Sequence, residues 1–213
     1  MDVYSSEEQQ LEAIKRFWKE YGITIVAGTI LGLGGLYGFR YYQSHQLAQA
    51  EQASTGFERL LQAQEQQSAD WVQDAERYIE SNSKTAYATF AAMLKARDAV
   101  LAGDYSLAEQ QLGWVIANTK DPVIDAIARL RLARVHLQQQ QYSQALALLQ
   151  GNMPVSFKLQ QQELKGDIHL AQGNADAAKQ AYMLAKASEG AEANQLLKIK
   201  LDELAHVQTE GML

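Results

Sequence analysis

The chain has no cysteine, only two prolines, and a long interval without a single charge. Without cysteine there is no disulfide framework and no thiolate metal site, so stability must come from packing, and the 171 residues from position 43 onward are enough to bury a sizeable core. Catalytic signatures are missing too. No G-x-S-x-G, Walker loop or dinucleotide fingerprint occurs, and GTILGLGG lies inside the apolar interval and follows no strand. The four histidines, His45, His136, His169 and His206, are scattered, none three or four residues from another. With no H-E-x-x-H and no carboxylate cage, no metal, cofactor or catalytic residue is expected. A net charge of −6 without a dense basic patch excludes nucleic acid as a partner.

What is present begins with the nineteen residues between Glu20 and Arg40, YGITIVAGTILGLGGLYGF. At roughly 1.5 Å per helical residue they reach about 28 Å, the hydrocarbon thickness of a bilayer. A helix satisfies its own backbone in lipid, so the glycines at 22, 28, 32, 34, 35 and 38 do not forbid a span. Phe17, Trp18 and Tyr21 before it and Tyr37, Phe39, Tyr41 and Tyr42 after it stand where interfacial anchors would, which argues against a buried globular helix. Gly28, Gly32 and Gly35 share one face and leave room for a second helix, although glycine is common in membrane helices generally.

Lys15, Arg16 and Lys19 precede the span and Arg40 alone follows closely, so the N-terminus is expected in the cytoplasm and the C-terminal part outside. Ala48-Gln49-Ala50 resembles a cleavage site but lies about ten residues past the apolar stretch, which makes the segment an uncleaved signal anchor. The expected organisation is a cytosolic tail over residues 1–20, a transmembrane segment over 21–42 and a periplasmic domain over 43–213. Ser5 with Glu8 forms a capping-box pattern ahead of Leu11, Ile14, Phe17, Trp18 and Tyr21. That short amphipathic helix either docks on a cytosolic partner or leads into the membrane at the headgroups.

Beyond the membrane, Ala, Leu and Gln recur at helical spacing, and an all-α domain follows. Residues 43–67 extend the membrane helix as a stalk, and a second helix is expected over 69–79, before a loop at Ser81-Asn82-Ser83. Three segments are self-similar: ARDAVLAGDYSLAEQQL from Ala96, ARVHLQQQQYSQALALL from Ala133 and GDIHLAQGNADAAKQAY from Gly166. Each places a small residue in one helix, a turn, and a second small residue (Ala108, Ala145, Ala178) in the next, with Tyr105 and Leu112, Tyr142 and Leu149, or Tyr182 filling the space between. Pro122 and Pro154 come where proline can stop the second helix of a unit.

These units resemble tetratricopeptide repeats, hence an α-solenoid, with the clearest at about 89–122, 126–155 and 159–188 and a more eroded one within 43–95. They depart from the pattern at Ala99, His136 and His169, where an aromatic is expected, at the missing turn glycine of the second unit, and at Ala175. A capping helix over 191–206 should cover the last unit with Leu196, Leu197, Ile199, Leu201 and Leu204. By the repeat resemblance the first helix of each unit lines a partner groove, which places Met93, Arg97, Leu101, Leu130, Arg134, Leu137, Glu163 and Asp167 there. Arg97 and Arg134 are equivalent and suited to clamp an acidic group, or else simply lie on a solvated face.

The K-R-F-W step from Lys15, the glycine-rich span, F-R-Y-Y-Q-S-H-Q from Phe39 and L-R-L-A-R-V from Leu130 together resemble the YfgM family, ancillary subunits of the bacterial SecYEG translocon. That resemblance implies an inner-membrane protein whose periplasmic repeats associate with the translocon, with a PpiD-like membrane-anchored chaperone and with translocating polypeptides. The other function class open to such a chain is a regulator whose cytosolic tail restrains a signalling protein.

Overall fold

The structure, a computed structural model, describes the backbone of residues 3–210 and the side chains of residues 10–204. The side chains of Ser5, Glu8 and His206 lie outside the described residues, and so does the capping-box geometry. Nine α-helices and two single 3-10 turns account for the regular structure among the described residues, with no strand.

Helix α1 runs from Val3 to Glu65, so the capping-box position falls within it. Its residues up to 52 form one compact unit, and residue 53 onward forms another. In the first unit, α1 is long and apolar enough to cross a membrane. Ile23, Leu31 and Tyr37 are strongly exposed, and apart from the adjoining residues and the helix's own backbone nothing lies within 4 Å of where a Cβ would stand on Gly28, Gly32 or Gly35. Thr29 donates Oγ1–H to the Ile25 carbonyl at 2.8 Å, which satisfies its hydroxyl within the helix.

The second unit is a stack of hairpins built from the last turns of α1 with α2 (Trp71–Ser81), α3 (Ala86–Leu101) with α4 (Tyr105–Asn118), α5 (Pro122–Gln138) with α6 (Tyr142–Leu148), and α7 (Lys158–Ala171) with α8 (Ala175–Lys186). The four first helices end in the same device. A residue with positive φ lets two backbone N–H groups reach back to the carbonyls of the final turn. At α3 these are Gly103 N to Val100 O and Asp104 N to Ala99 O; at α7, Gly173 N to Leu170 O and Asn174 N to His169 O. At α5, where turn glycine is absent, Gln140 takes φ 60°, and the same pair of bonds forms from Gln140 N to Leu137 O and from Gln141 N to His136 O. Gln67, at φ 52°, closes α1 in the same way through Gln64 and Ala63, and this identifies the eroded leading unit.

Alanine sets the spacing of the stack. Ala96 and Ala108, then Ala133 and Ala145, are buried where paired helices meet, and Leu112 and Leu149 close the gaps beside them. Glycine does this in the outer units. A Cβ on Gly56 would come within 2.9 Å of Tyr78 Cε2, and one on Gly166 would overlap the Tyr182 ring. Three successive clusters carry the core along the stack, one around Leu60, Ile79 and Leu112, one around Leu130, Leu149 and Ile168, and one around Tyr182, Leu197 and Leu204. Each helix pair thus buries its apolar face only against its neighbours.

Some sequence expectations shift. Pro122 opens α5 as its first residue, behind the Asp121 side chain that accepts from Val123 N and Ile124 N, because proline at a helix start loses no hydrogen bond. The helix expected over 69–79 spans Trp71–Ser81. The capping segment divides into a 3-10 turn over Ala191–Ala193 and α9 over Gln195–Glu210. Leu197 and Leu204 of α9 are buried, but Leu196 and Ile199 point outward, since their face is turned away from α8.

Candidate partner-binding cleft

Met93, Arg97 and Leu101 recur every four residues on α3, and Arg131 and Arg134 lie one turn apart on α5. Between these helices is an open cleft of about 580 Å³, to which α4 contributes Tyr105 and Leu112. Met93 and Leu112 are buried, whereas Leu101 is 79% exposed. The apolar wall therefore runs from the core to the rim. No acidic side chain lines the cleft, and three guanidinium groups do. Arg97 turns to its own neighbour, with Nε and Nη2 each 2.9 Å from Asp98 Oδ1, while Gln64 Nε2 donates to the other carboxylate oxygen. Arg131 and Arg134 are exposed and make no hydrogen bond or ion pair among the described residues.

Four of the eight expected groove residues, Met93, Arg97, Leu101 and Arg134, thus line one cleft. The others lie elsewhere. Leu130, 4% exposed, belongs to the second core cluster, against which Leu137 also packs. The 37-residue offset that relates Arg97 to Arg134 carries Leu101 onto Gln138, and it is Gln138 that reaches the cleft. Glu163 and Asp167 are engaged within the chain. Lys200 of α9 donates to Glu163 Oε1 at 2.8 Å and to Asp167 Oδ1 at 2.7 Å, Tyr182 donates its hydroxyl to Asp167 Oδ1 at 2.7 Å, and Asn194 Nδ2 donates to Glu163 Oε2.

This network tethers α9 to the last repeat. Burial would depress the Lys200 pKa, but the hydrogen bonds and negative charge of Asp167 and Glu163 outweigh it and hold the ammonium above its ordinary value. Burial, then the bond to Asp167 and the surrounding carboxylates, pushes the Tyr182 phenol far up. The clue in the sequence was the change of sign. Positions that hold Met93 and Arg97, or Leu130 and Arg134, hold two acids in the third unit, and acids on a half-buried face require a cation.

Other polar positions carry structure. Gln161 is buried and donates Nε2 to the carbonyls of Leu149 and Gly151, both at 2.8 Å, closing the short α6. Lys95 is buried against Glu76, and desolvation lowers its pKa. His136 and His169, equivalent in the repeats, each bond through Nδ1 to a nearby glutamine, Gln141 at 2.6 Å and Gln172 at 3.2 Å. No three potential metal ligands gather among the described residues.

A membrane-length helix followed by stacked helical hairpins with an open cleft defines the class: an α-solenoid of tetratricopeptide type behind a candidate membrane span. The tetratricopeptide repeat-like domain family matches residues 15–206. A Haemophilus influenzae protein named ancillary SecYEG translocon subunit is 37% identical over 198 residues, covering 93% of this chain and 97% of its own length. Proteins of the same name from Escherichia coli K12 and Neisseria gonorrhoeae are each 31% identical, over 96% of this chain and 100% of theirs. No solved structure matches. The chain belongs to the family of these ancillary translocon subunits.

Proposed function

We propose that this protein is a non-catalytic ancillary component of the SecYEG translocon, anchored in the bacterial inner membrane by α1 with its repeat domain in the periplasm. There the repeats hold a PpiD-like membrane-anchored chaperone or newly translocated chains beside the channel. The observation that carries this reading is the near full-length similarity to relatives named for the translocon. It is supported by a chain that offers a membrane-length helix and an open cleft. The basic residues Lys15, Arg16 and Lys19 favour an inside N-terminus. The exposed face of Gly28, Gly32 and Gly35 is proposed as the place where a second membrane helix packs closely.

The test is copurification from gently solubilised membranes, with photo-crosslinkers at Gly28, Gly32 and Leu101. Translocon subunits should be captured from the membrane positions and a periplasmic chain from Leu101. Recovery of neither contradicts the proposal.

A further inference from the structure

The cleft between α3 and α5 carries a charge pattern at odds with the rest of the chain. The whole sequence has a net charge of −6, yet the residues lining this cleft include three arginines and no acid. Arginine matches carboxylates in a planar, bidentate geometry that surface lysines do not offer, and it is weakly enough hydrated to pair at an apolar wall. Arg131 and Arg134, one helical turn apart, place two unpaired guanidiniums on one ridge. Opposite stand Val100 and the outward Leu101, with Met93 and Leu112 deeper. A simple anion would use the arginines and leave the apolar wall wet. A purely apolar segment would bury beside unmatched cations, which is costly.

Resting on the reading of this domain as one that binds protein partners, we propose that the cleft recognises a short acidic-apolar peptide segment. In such a segment carboxylates flanking a large apolar side chain engage Arg131 and Arg134 while that side chain packs between Leu101, Val100 and Met93. The volume of about 580 Å³ suits a few residues of such a chain. Arg97, already held by Asp98, acts as the weaker third cation unless the segment displaces that contact.

The test uses the full chain in phosphatidylcholine nanodiscs and fluorescein-labelled acetyl-Glu-Asp-Leu-Phe-Asp-Glu-amide, followed by anisotropy. Two comparison probes replace all acids by Gln and Asn, or replace Leu-Phe by Gly-Ser. The acidic-apolar probe should bind at least tenfold more tightly than either and weaken as salt is raised. Arg131→Gln with Arg134→Gln should cost at least tenfold and Leu101→Ser several-fold, while Lys158→Gln, also exposed, changes nothing. Leu101→Ser replaces a side chain that supports no core, so it keeps the test decisive even if the double variant fails to fold. Equal binding of the neutral probe, unaltered binding by both variants, or full displacement of the peptide by phosphatidylglycerol vesicles would overturn the proposal. Because translocon subunits are scored by copurification and not in this assay, failure of the cleft chemistry and failure of the translocon reading are separable.

Discussion

The ring of Tyr182 occupies the space in which Gly166 would carry a Cβ, so α7 and α8 meet at a distance that no other residue at position 166 allows. Tyr182 is fully buried there, and its hydroxyl reaches Asp167, the residue beside that glycine. Contact, hydrogen bond and the tether to α9 share a single tyrosine.

Gly166→Ala should therefore destabilise the repeat domain by about 1–3 kcal/mol, since the ring is packed on all sides and cannot retreat. Thermal unfolding followed by circular dichroism measures it. Ala133→Gly, at the equivalent position of the second unit, removes a methyl without a clash and should cost about 1 kcal/mol through helix propensity and lost packing.

Alkaline pH should loosen the last repeat. The Tyr182 phenol is raised far above 10.0 and Tyr78 to about 12, in both cases chiefly by burial. Above pH 10 the unfolded chain loses these protons while the folded chain retains them, so stability falls as pH rises. Lys200, raised above 10.5, adds to the loss with the same sign: its contribution is complete below pH 10.5 and fades as pH passes its folded value. Lys95, lowered by burial, has the opposite sign. Urea midpoints should fall between pH 10 and 12, and Tyr182→Phe should flatten that slope while lowering stability near neutrality by about 1 kcal/mol for the lost hydrogen bond.

Gln140→Gly should stabilise the chain by up to about 1 kcal/mol. A left-handed residue with a Cβ is strained, glycine is not, and both backbone bonds that close α5 are kept. An unchanged urea midpoint would show that the glutamine is unstrained.

Gln161→Met keeps the volume but leaves the carbonyls of Leu149 and Gly151 without their donor, and should cost about 1–3 kcal/mol. Hydrogen exchange should show the amides of α6 opening earlier than those of α5.

Much of this architecture can be read in the residues because helix pairs are local. The small-turn-small pattern around Ala96, Ala133 and Gly166 marks the hairpins, and the positions that set their spacing are near one another in sequence. The leading unit is harder to see because its turn carries Gln67 where glycine marks two of the others, so only backbone geometry links it to the rest. The cleft is half legible for the same reason. Repeat equivalence finds Arg97 and Arg134, but it cannot tell that Lys200, 37 and 33 residues later, consumes Glu163 and Asp167, or that Arg131 faces the same space as Arg134.

A chain without cysteine allows the proposed topology to be read directly. Ser143→Cys, on an exposed position of α6, and Ser6→Cys in the N-terminal tail would each carry the sole thiol. A membrane-impermeant maleimide added to cells with a permeabilised outer membrane should label the first and spare the second, with inverted inner-membrane vesicles giving the reverse. Labelling of Ser6→Cys in the cells together with protection of Ser143→Cys would place the repeats in the cytoplasm and contradict a periplasmic role.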